Sequence, residues 1–200
     1  MLGSHYCTKK PMTRVTEGYL TGNLLVATPT VGDSRFKRTL VYVCAHSEAG
    51  ALGLVVNRLT NEITFPELLE QLGIDPPNGR RTIKVHFGGP VEESRGFVLH
   101  SGDYLQDTTL VVNNEIGLTA SVDVLTAIAE GEGPRCSLLA LGYAGWGPGQ
   151  LESEIHANGW LHVPADEGLL FGADVSTKWG KALAKIGIEV SSLSGEAGHA

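Results

Sequence analysis

The sequence predicts an α+β fold: one domain with a bent, largely antiparallel sheet, barrel-like or bifurcated, and about four helices packed on it. Three observations carry this. A chain of 200 residues with 42% hydrophobic and 18% charged residues can bury a sizeable core unaided. Strand-like segments outnumber helical ones, and their order is neither a strict βα alternation nor all-β. No internal repeat and no Pro/Gly/Ser linker divides the body, which places a single domain at 18–190 between a flexible extension at 1–17 and a tail at 191–200.

Eight strands are marked by apolar and β-branched clusters between turn signals: Leu24 to Ala27, Thr39 to Ala45, Leu52 to Val56, Ile83 to Phe87, Phe97 to His100, Thr109 to Val112, Ser137 to Leu141 and Trp160 to Val163. The helices have sharper boundaries. Thr64 followed by Glu67 makes a capping box ahead of Leu68, Leu69 and Leu72, with Gly73 as the stop. Ser121 caps a second helix that turns Leu125, Ile128 and Ala129 to one face and ends at Gly131. Pro148 is suited to the first position of a third, in which Leu151 and Ile155 stand four apart. A fourth runs from about Val175 to Ile186, with Trp179, Leu183 and Ile186 inward, Gly187 at its end, and Lys178, Lys181 and Lys185 on the solvated side.

Composition removes several function classes. Fifteen basic against 22 acidic residues leave a net charge of -7, which opposes long-range attraction to nucleic acid or to anionic membranes. Cys7, Cys44 and Cys136 are far apart, with no CxxC pair, which argues against a disulfide framework and a cysteine zinc site. With no apolar run of membrane-spanning length and no apolar signal core, a cytoplasmic setting is expected.

The richest stretch is Leu138 to Glu154, LLALGYAGWGPGQLESE, in which Gly142, Gly145, Gly147 and Gly149 stand between a strand and a helix start and suggest a shaped turn. Together with LTGNLLVATP at 20–29, Asp33 and Phe36, GALGLVVNR at 50–58, GGPVEESRGFVLH at 88–100, LTASVDVL at 118–125 and the closing Gly198-His199-Ala200, it identifies a family. From Gly18 to Ala200 the chain resembles the YqgE/AlgH family of small bacterial proteins. That resemblance implies a compact α+β domain with a bifurcated or barrel-like sheet, a cytosolic setting and, for some members, transcriptional regulation. It implies no particular reaction.

The residues have then to be weighed for chemistry. The glycine turn could cradle a phosphate on backbone N–H groups. However, the Lys and Ser/Thr of a Walker loop are missing after Gly149, Glu152 stands where a dinucleotide fingerprint has its third glycine, and Glu152 and Glu154 repel phosphate. The turn also reads as a packing device for Tyr143 and Trp146, or as a holder of a neutral polar ligand through Gln150. His46, His86, His100 and His156 lack metal-ligand spacing, so no metal site is expected. His46 and His100 sit at strand ends, where an imidazole is either a proton-transfer group or a structural hydrogen-bonder. Cys44 shares a strand face with Leu40 and Tyr42 and reads as a buried apolar residue. Glu152 and Glu154 are two apart on a helix and diverge by about 200°, so they cannot act as a carboxylate pair.

The function expected is therefore a non-enzymatic binding or regulatory protein, with no cofactor and with a protein partner or a small-molecule ligand. The ligand-binding candidates are Asn57, the turn Gly88-Gly89-Pro90-Val91, and Gly145, Trp146, Gly147 and Gln150. With no helix-turn-helix, RNP motif or zinc finger to read DNA, any transcriptional effect is expected to be indirect. The alternative is an enzyme with Glu152 as acid or base, His46 or His100 as proton partner and Gln150 as orienting donor. A third reading has the glycine-rich surface and the last three residues dock a protein.

Overall fold

The computed structural model describes residues 19–75 and 82–193. The N-terminal extension, Arg80 and Arg81, and the tail from 194 with Gly198-His199-Ala200 lie outside the described residues. Nine strands form one curled, half-barrel sheet: β1 (Asn23–Ala27), β2 (Leu40–Ser47), β3 (Gly50–Val55), β4 (Val85–Phe87), β5 (Val91–Ser101), β6 (Leu110–Val111), β7 (Ile116–Thr119), β8 (Ser137–Trp146) and β9 (Trp160–Pro164). The order is β6-β7-β5-β8-β3-β2-β1-β9, antiparallel throughout, and β4 adds to β8 in parallel. Five helices pack on it: α1 (Phe65–Gln71), α2 (Val122–Glu130), α3 (Gln150–His156), α4 (Glu167–Phe171) and α5 (Lys178–Lys185). None of the helices is long and apolar enough to cross a membrane.

Alternation along the central strands explains why apolar runs, and not one-sided patterns, mark them. On β1 and β2, Leu24, Val26, Leu40, Tyr42 and Cys44 face a core closed by α4 and α5. Leu25, Ala27, Val41 and Val43 face a second core closed by Trp146, Leu151 of α3 and Trp160. A strand covered on both faces must be apolar at every position. A third core joins α1 and α2 to Val98 and Leu139. The capping box at Thr64 is formed, with the Glu67 carboxylate accepting from the Thr64 backbone N–H at 2.7 Å. Gly131 ends α2 in the left-handed conformation, where glycine carries no Cβ penalty.

Strand β8 holds the halves together. It pairs with β5 from Ser137 to Tyr143, with β4 over Leu139–Leu141, and with β3 over Ala144–Trp146. Two close approaches make this possible. The Gly88 N–H donates to Leu141 O at 2.7 Å while Gly88 O accepts from Val55 N at 2.9 Å, so one residue bridges β8 and β3. A side chain on Gly88 would strike the Gly142 carbonyl, and one on Gly89 the Tyr143 backbone.

Several expectations need correction. Gly142 and Gly145 lie inside β8, which runs on to Trp146, so only Gly147 and Gly149 belong to the turn before α3. Pro148 lies in that turn, and left-handed Gly149 is the residue that precedes the helix. Strand β7 escaped the sequence reading because Gly117 interrupts its apolar pattern; a Cβ there would fall 2.7 Å from the His100 ring. Helix α4 escaped it through its shortness, although Asp166 caps it by accepting from Leu169 N at 2.8 Å. Lys178 is not on the solvated side of α5. It is 2% exposed, and its Nζ donates to Leu170 O at 2.7 Å, at the carbonyl end of α4, and to Val56 O at 3.1 Å. Leu170 lies in the last turn of α4, whose carbonyls have no partner within the helix, and Val56 directly follows β3. Burial, and then the Lys84 charge, pull the Lys178 amine down to about 8.

Two predictions follow from this packing. Burial, and then the Lys178 cation, lower His86 to about 4 from an ordinary 6.5, and burial also lowers His100. The His86 ring stays neutral in the fold while the unfolded chain takes up a proton below 6.5, so stability is lost as pH falls from 6.5 towards 4, and the lowering of His100 acts in the same direction. For His86 the loss between pH 7 and 5 is about 2 kcal/mol, and His86→Gln flattens that slope in urea denaturation. Gly88→Ala destabilises the fold by about 3 kcal/mol, because the obstacle is backbone that cannot swing away; a fall in the thermal midpoint of about 6 to 12 °C measures it.

Candidate functional site

Strand β5 begins at Val91, opposite Tyr143, so beyond that pair β8 continues to Trp146 paired only with β3. A cleft of about 440 Å³ opens there. It is lined by the loop from Thr30 to Phe36, by Pro90 and Val91, and by Gly145, Trp146, Gln150 and Glu154. The loop is pinned from behind: the Thr28 and Thr30 hydroxyls donate to Asn158 O at 2.6 and 2.7 Å, and Phe36 meets Trp160 edge-on at 5.5 Å. Asp33 caps the 3-10 turn Ser34–Phe36 by accepting from Arg35 N at 2.9 Å, and it also takes the Arg35 guanidinium at 2.7 Å. The guanidinium holds the Asp33 carboxyl below its usual range.

Glu154 organises the far side. Its Oε2 accepts from the indole N–H of Trp146 at 3.0 Å and of Trp160 at 2.7 Å, and its Oε1 accepts from the Gln150 amide at 2.9 Å. Gln150 in turn accepts from Gly147 N at 3.0 Å, so the turn before α3 is closed by its own side chain. That bond explains why the turn offers no phosphate cradle: an N–H that would face the anion is already taken, and α3 is only seven residues long. Tryptophan N–H groups are satisfied when buried, and one carboxylate here satisfies two.

Glu152 points elsewhere, as the helical angle requires. Its Oε1 meets His46 Nε2 at 2.8 Å. His46 Nδ1 accepts the Leu20 backbone N–H at 3.0 Å, which puts the ring proton on Nε2 and makes His46 the donor to Glu152. The Glu152 carboxyl is held below its usual range by its own backbone N–H and, beyond that, by His46. The structure thus brings Glu152 to His46 and separates both from Gln150, which turns to Gly147 and Glu154.

His100 joins neither group. It is fully buried, its Nδ1 donating to Ser101 O at 3.0 Å and its Nε2 contacting the Thr119 hydroxyl at 2.9 Å. Of the two roles open to His100 as a strand-end imidazole, its place beneath β7 and its bond to the Ser101 backbone match the structural hydrogen-bonder. Asn57 also lies off the cleft: its Oδ1 accepts Leu40 N at 2.7 Å and its Nδ2 donates to Arg38 O at 2.9 Å, which ties β2 to the end of β3. Gly88 and Gly89 act behind the cleft by letting Pro90 and Val91 approach β8. Among the described residues no group of three or more His, Cys, Asp or Glu could hold a metal ion.

The sequence reading missed Glu154 and the Thr30–Phe36 loop. The available signal for Glu154 was its spacing of four from Gln150 and its position eight residues after Trp146 and six before Trp160, which becomes informative only once the sheet brings the two indoles together. A second cavity of about 360 Å³ was also missed; Tyr42, Asp103, Asn113, Arg135 and Glu167 line it, and Arg135 is paired with Glu167 at 2.8 and 2.9 Å.

The two helix carboxylates should differ sharply on mutation. Glu154→Ala leaves two buried indole donors unpaired and destabilises the fold by about 2 to 4 kcal/mol, whereas Glu152→Ala, at a side chain 44% exposed, costs under about 1 kcal/mol. Urea denaturation followed by far-UV circular dichroism reads both.

Comparison with known proteins agrees with this architecture. Residues 24–191 match the family model described as AlgH-like. The UPF0301 protein blr1492 of Bradyrhizobium diazoefficiens is 56% identical over 191 residues, covering 92% of this chain and 89% of that protein. The UPF0301 protein Rru_A3059 of Rhodospirillum rubrum is 52% identical over 184 residues, covering 92% and 96%. Among solved structures, the AlgH protein from Pseudomonas aeruginosa superposes with a TM-score of 0.77 at 42% identity, covering 94% of this chain and all of that one. Protein DIP2367 from Corynebacterium diphtheriae shares the fold, with a TM-score of 0.64 at 20% identity over 86% and 88% of the chains. On the family model, the sequence identity and the shared fold together, the chain belongs to the AlgH-like family.

Proposed function

We propose that this is a non-enzymatic binding protein of regulatory role, which takes a small ligand or a short segment of a partner in the cleft between the Thr30–Phe36 loop, Val91 and Trp146. The observation that carries the reading is the cleft's construction. Apolar Phe36, Val91 and Trp146 and polar Asp33, Gln150 and Glu154 meet in one concavity, and each polar group is held by a hydrogen bond within the fold. Pre-formed, mostly apolar concavities with a few oriented polar groups are the usual form of small-ligand sites. No nucleophile stands beside a base among the lining residues, which favours binding over turnover. A transcriptional effect, if the protein has one, runs through the bound ligand or partner, since the cleft lacks the basic surface that holds a phosphate backbone.

A second reading, an enzyme that uses His46 and Glu152, has their 2.8 Å contact in its favour. Against it, both ring nitrogens of His46 are engaged, one by Leu20 N and one by Glu152, so neither is free to accept a substrate proton.

The test is a thermal-shift screen against central metabolites and nucleotides, with Val91→Arg as the blocked control. A ligand at about a hundred times its dissociation constant adds about 2.7 kcal/mol, or about 5 to 10 °C in a domain of this size. The cleft reading expects such a shift to vanish in Val91→Arg and to persist in Glu152→Gln. The opposite pattern would transfer the site to the His46–Glu152 pair, and tight sequence-specific retention in a gel shift would replace both with direct DNA reading.

A further inference from the structure

We infer that the cleft selects a small organic cation, an ammonium or guanidinium group carried on an apolar or aromatic body, with Glu154 as its anchor. This rests on the cleft reading above and names the ligand class for the same site.

Charge points this way first. Three lining residues are charged: Asp33, Arg35 and Glu154. Asp33 and Arg35 neutralise one another through the contact at 2.7 Å. Glu154 is different: it accepts from three neutral donors, two indoles and an amide, and forms no ion pair among the described residues. Accepting three N–H groups and donating none is the pattern of an ionised carboxylate. Its hydrogen bonds are satisfied while its charge is not, and the cleft keeps a single net negative charge. Oε1 receives only the Gln150 amide, which leaves acceptor capacity for one more donor.

The walls suit a carbon-rich cation better than a metal ion. Two carboxylates line the cleft, and with Asp33 already taken by Arg35 and Glu154 set beside Phe36, Val91 and Trp146 they do not make up the several oxygen ligands that a hard divalent cation needs. An aromatic ring face attracts ammonium and guanidinium groups, most strongly for tryptophan. The protein uses that attraction elsewhere with its own arginines: Arg38 stacks on Trp179, Arg58 on Phe87 and Arg95 on Phe97, each 5.1 to 5.4 Å from the ring centre. Among the described residues no arginine or lysine occupies the faces of Trp146 or Phe36, the two rings that line the cleft.

The tryptophans also provide the readout. Trp146 and Trp160 donate to Glu154, whereas Trp179 donates to Ala27 O at 3.0 Å and serves as an internal control. In the 15N-labelled full chain, titration with benzylammonium is expected to move the Trp146 and Trp160 indole resonances saturably and to leave that of Trp179 in place. Benzyl alcohol and benzoate, of matching shape but neutral and anionic, should bind at least about tenfold more weakly. Glu154→Gln, which keeps one carbonyl oxygen to accept from the two indoles, gives up the bond from the Gln150 amide and removes the charge, should weaken benzylammonium about tenfold and leave benzyl alcohol unchanged. Should that variant fold poorly, Arg35→Gln, at a side chain 58% exposed, acts in the opposite sense: it leaves Asp33 uncompensated and should tighten benzylammonium several-fold. If benzyl alcohol or benzoate moves the same two resonances as tightly as the cation does, the ligand class is overturned and the cleft stands as a binding site. If no probe moves them, and the metabolite screen is also flat, both readings fall.

Discussion

The rest of the architecture depends on the double use of strand β8. Its first seven residues are held by β5 and β4, its last three by β3, and both arrangements require neighbouring backbone to come closer than any side chain permits. Gly88 meets that requirement by giving its N–H to Leu141 and its carbonyl to Val55, and Gly142 by adopting a φ of +72° opposite Gly89. Glycine is the residue that tolerates both the contact and the dihedral. Because β5 begins only at Val91, just after Gly88 and Gly89, the end of β8 is left without β5 beside it, and the cleft opens there.

The cleft is then finished by one carboxylate. Two tryptophans separated in sequence but adjacent in the second core need acceptors for their indole N–H groups, and Glu154 serves both from the one helix that reaches them. Supplying that acceptor places a carboxylate against aromatic walls with no ion pair of its own among the described residues. Structural satisfaction and ligand selection are therefore not competing accounts of Glu154: meeting the first need creates the field that the second would use. His46 and Glu152 are a separate device, in which a buried imidazole joins the start of the described chain at Leu20 to α3.

Much of the fold was legible in the residues. Leu24 to Ala27 and Thr39 to Ala45 announce strands because burial on both faces leaves no polar position to blur them. Thr64 with Glu67, and Ser121 with Gly131, announce helix ends because caps are local chemistry. What failed to show has an equally physical cause. Gly117 hid β7 because its lack of a side chain serves His100, a partner 17 residues away. Lys178 read as solvated because amphipathic spacing counts positions and not the carbonyls awaiting a donor at the ends of α4 and β3. His100 stayed open between two roles because the strand that buries it was itself invisible.

The sequence by itself determined the family, the α+β class and the main strands and helix caps, and it singled out Pro90, Val91, Gly145, Trp146 and Gln150, which line the cleft. Tertiary structure alone decided that Glu154 faces the cleft, that Glu152 turns away from it to His46, and that the Thr30–Phe36 loop forms a wall. The division follows from range. Periodicity, capping and glycine turns are consequences of neighbouring residues, whereas the pairing of Glu154 with Trp146 and Trp160, and of His46 with Glu152, depends on a sheet register that local sequence does not encode.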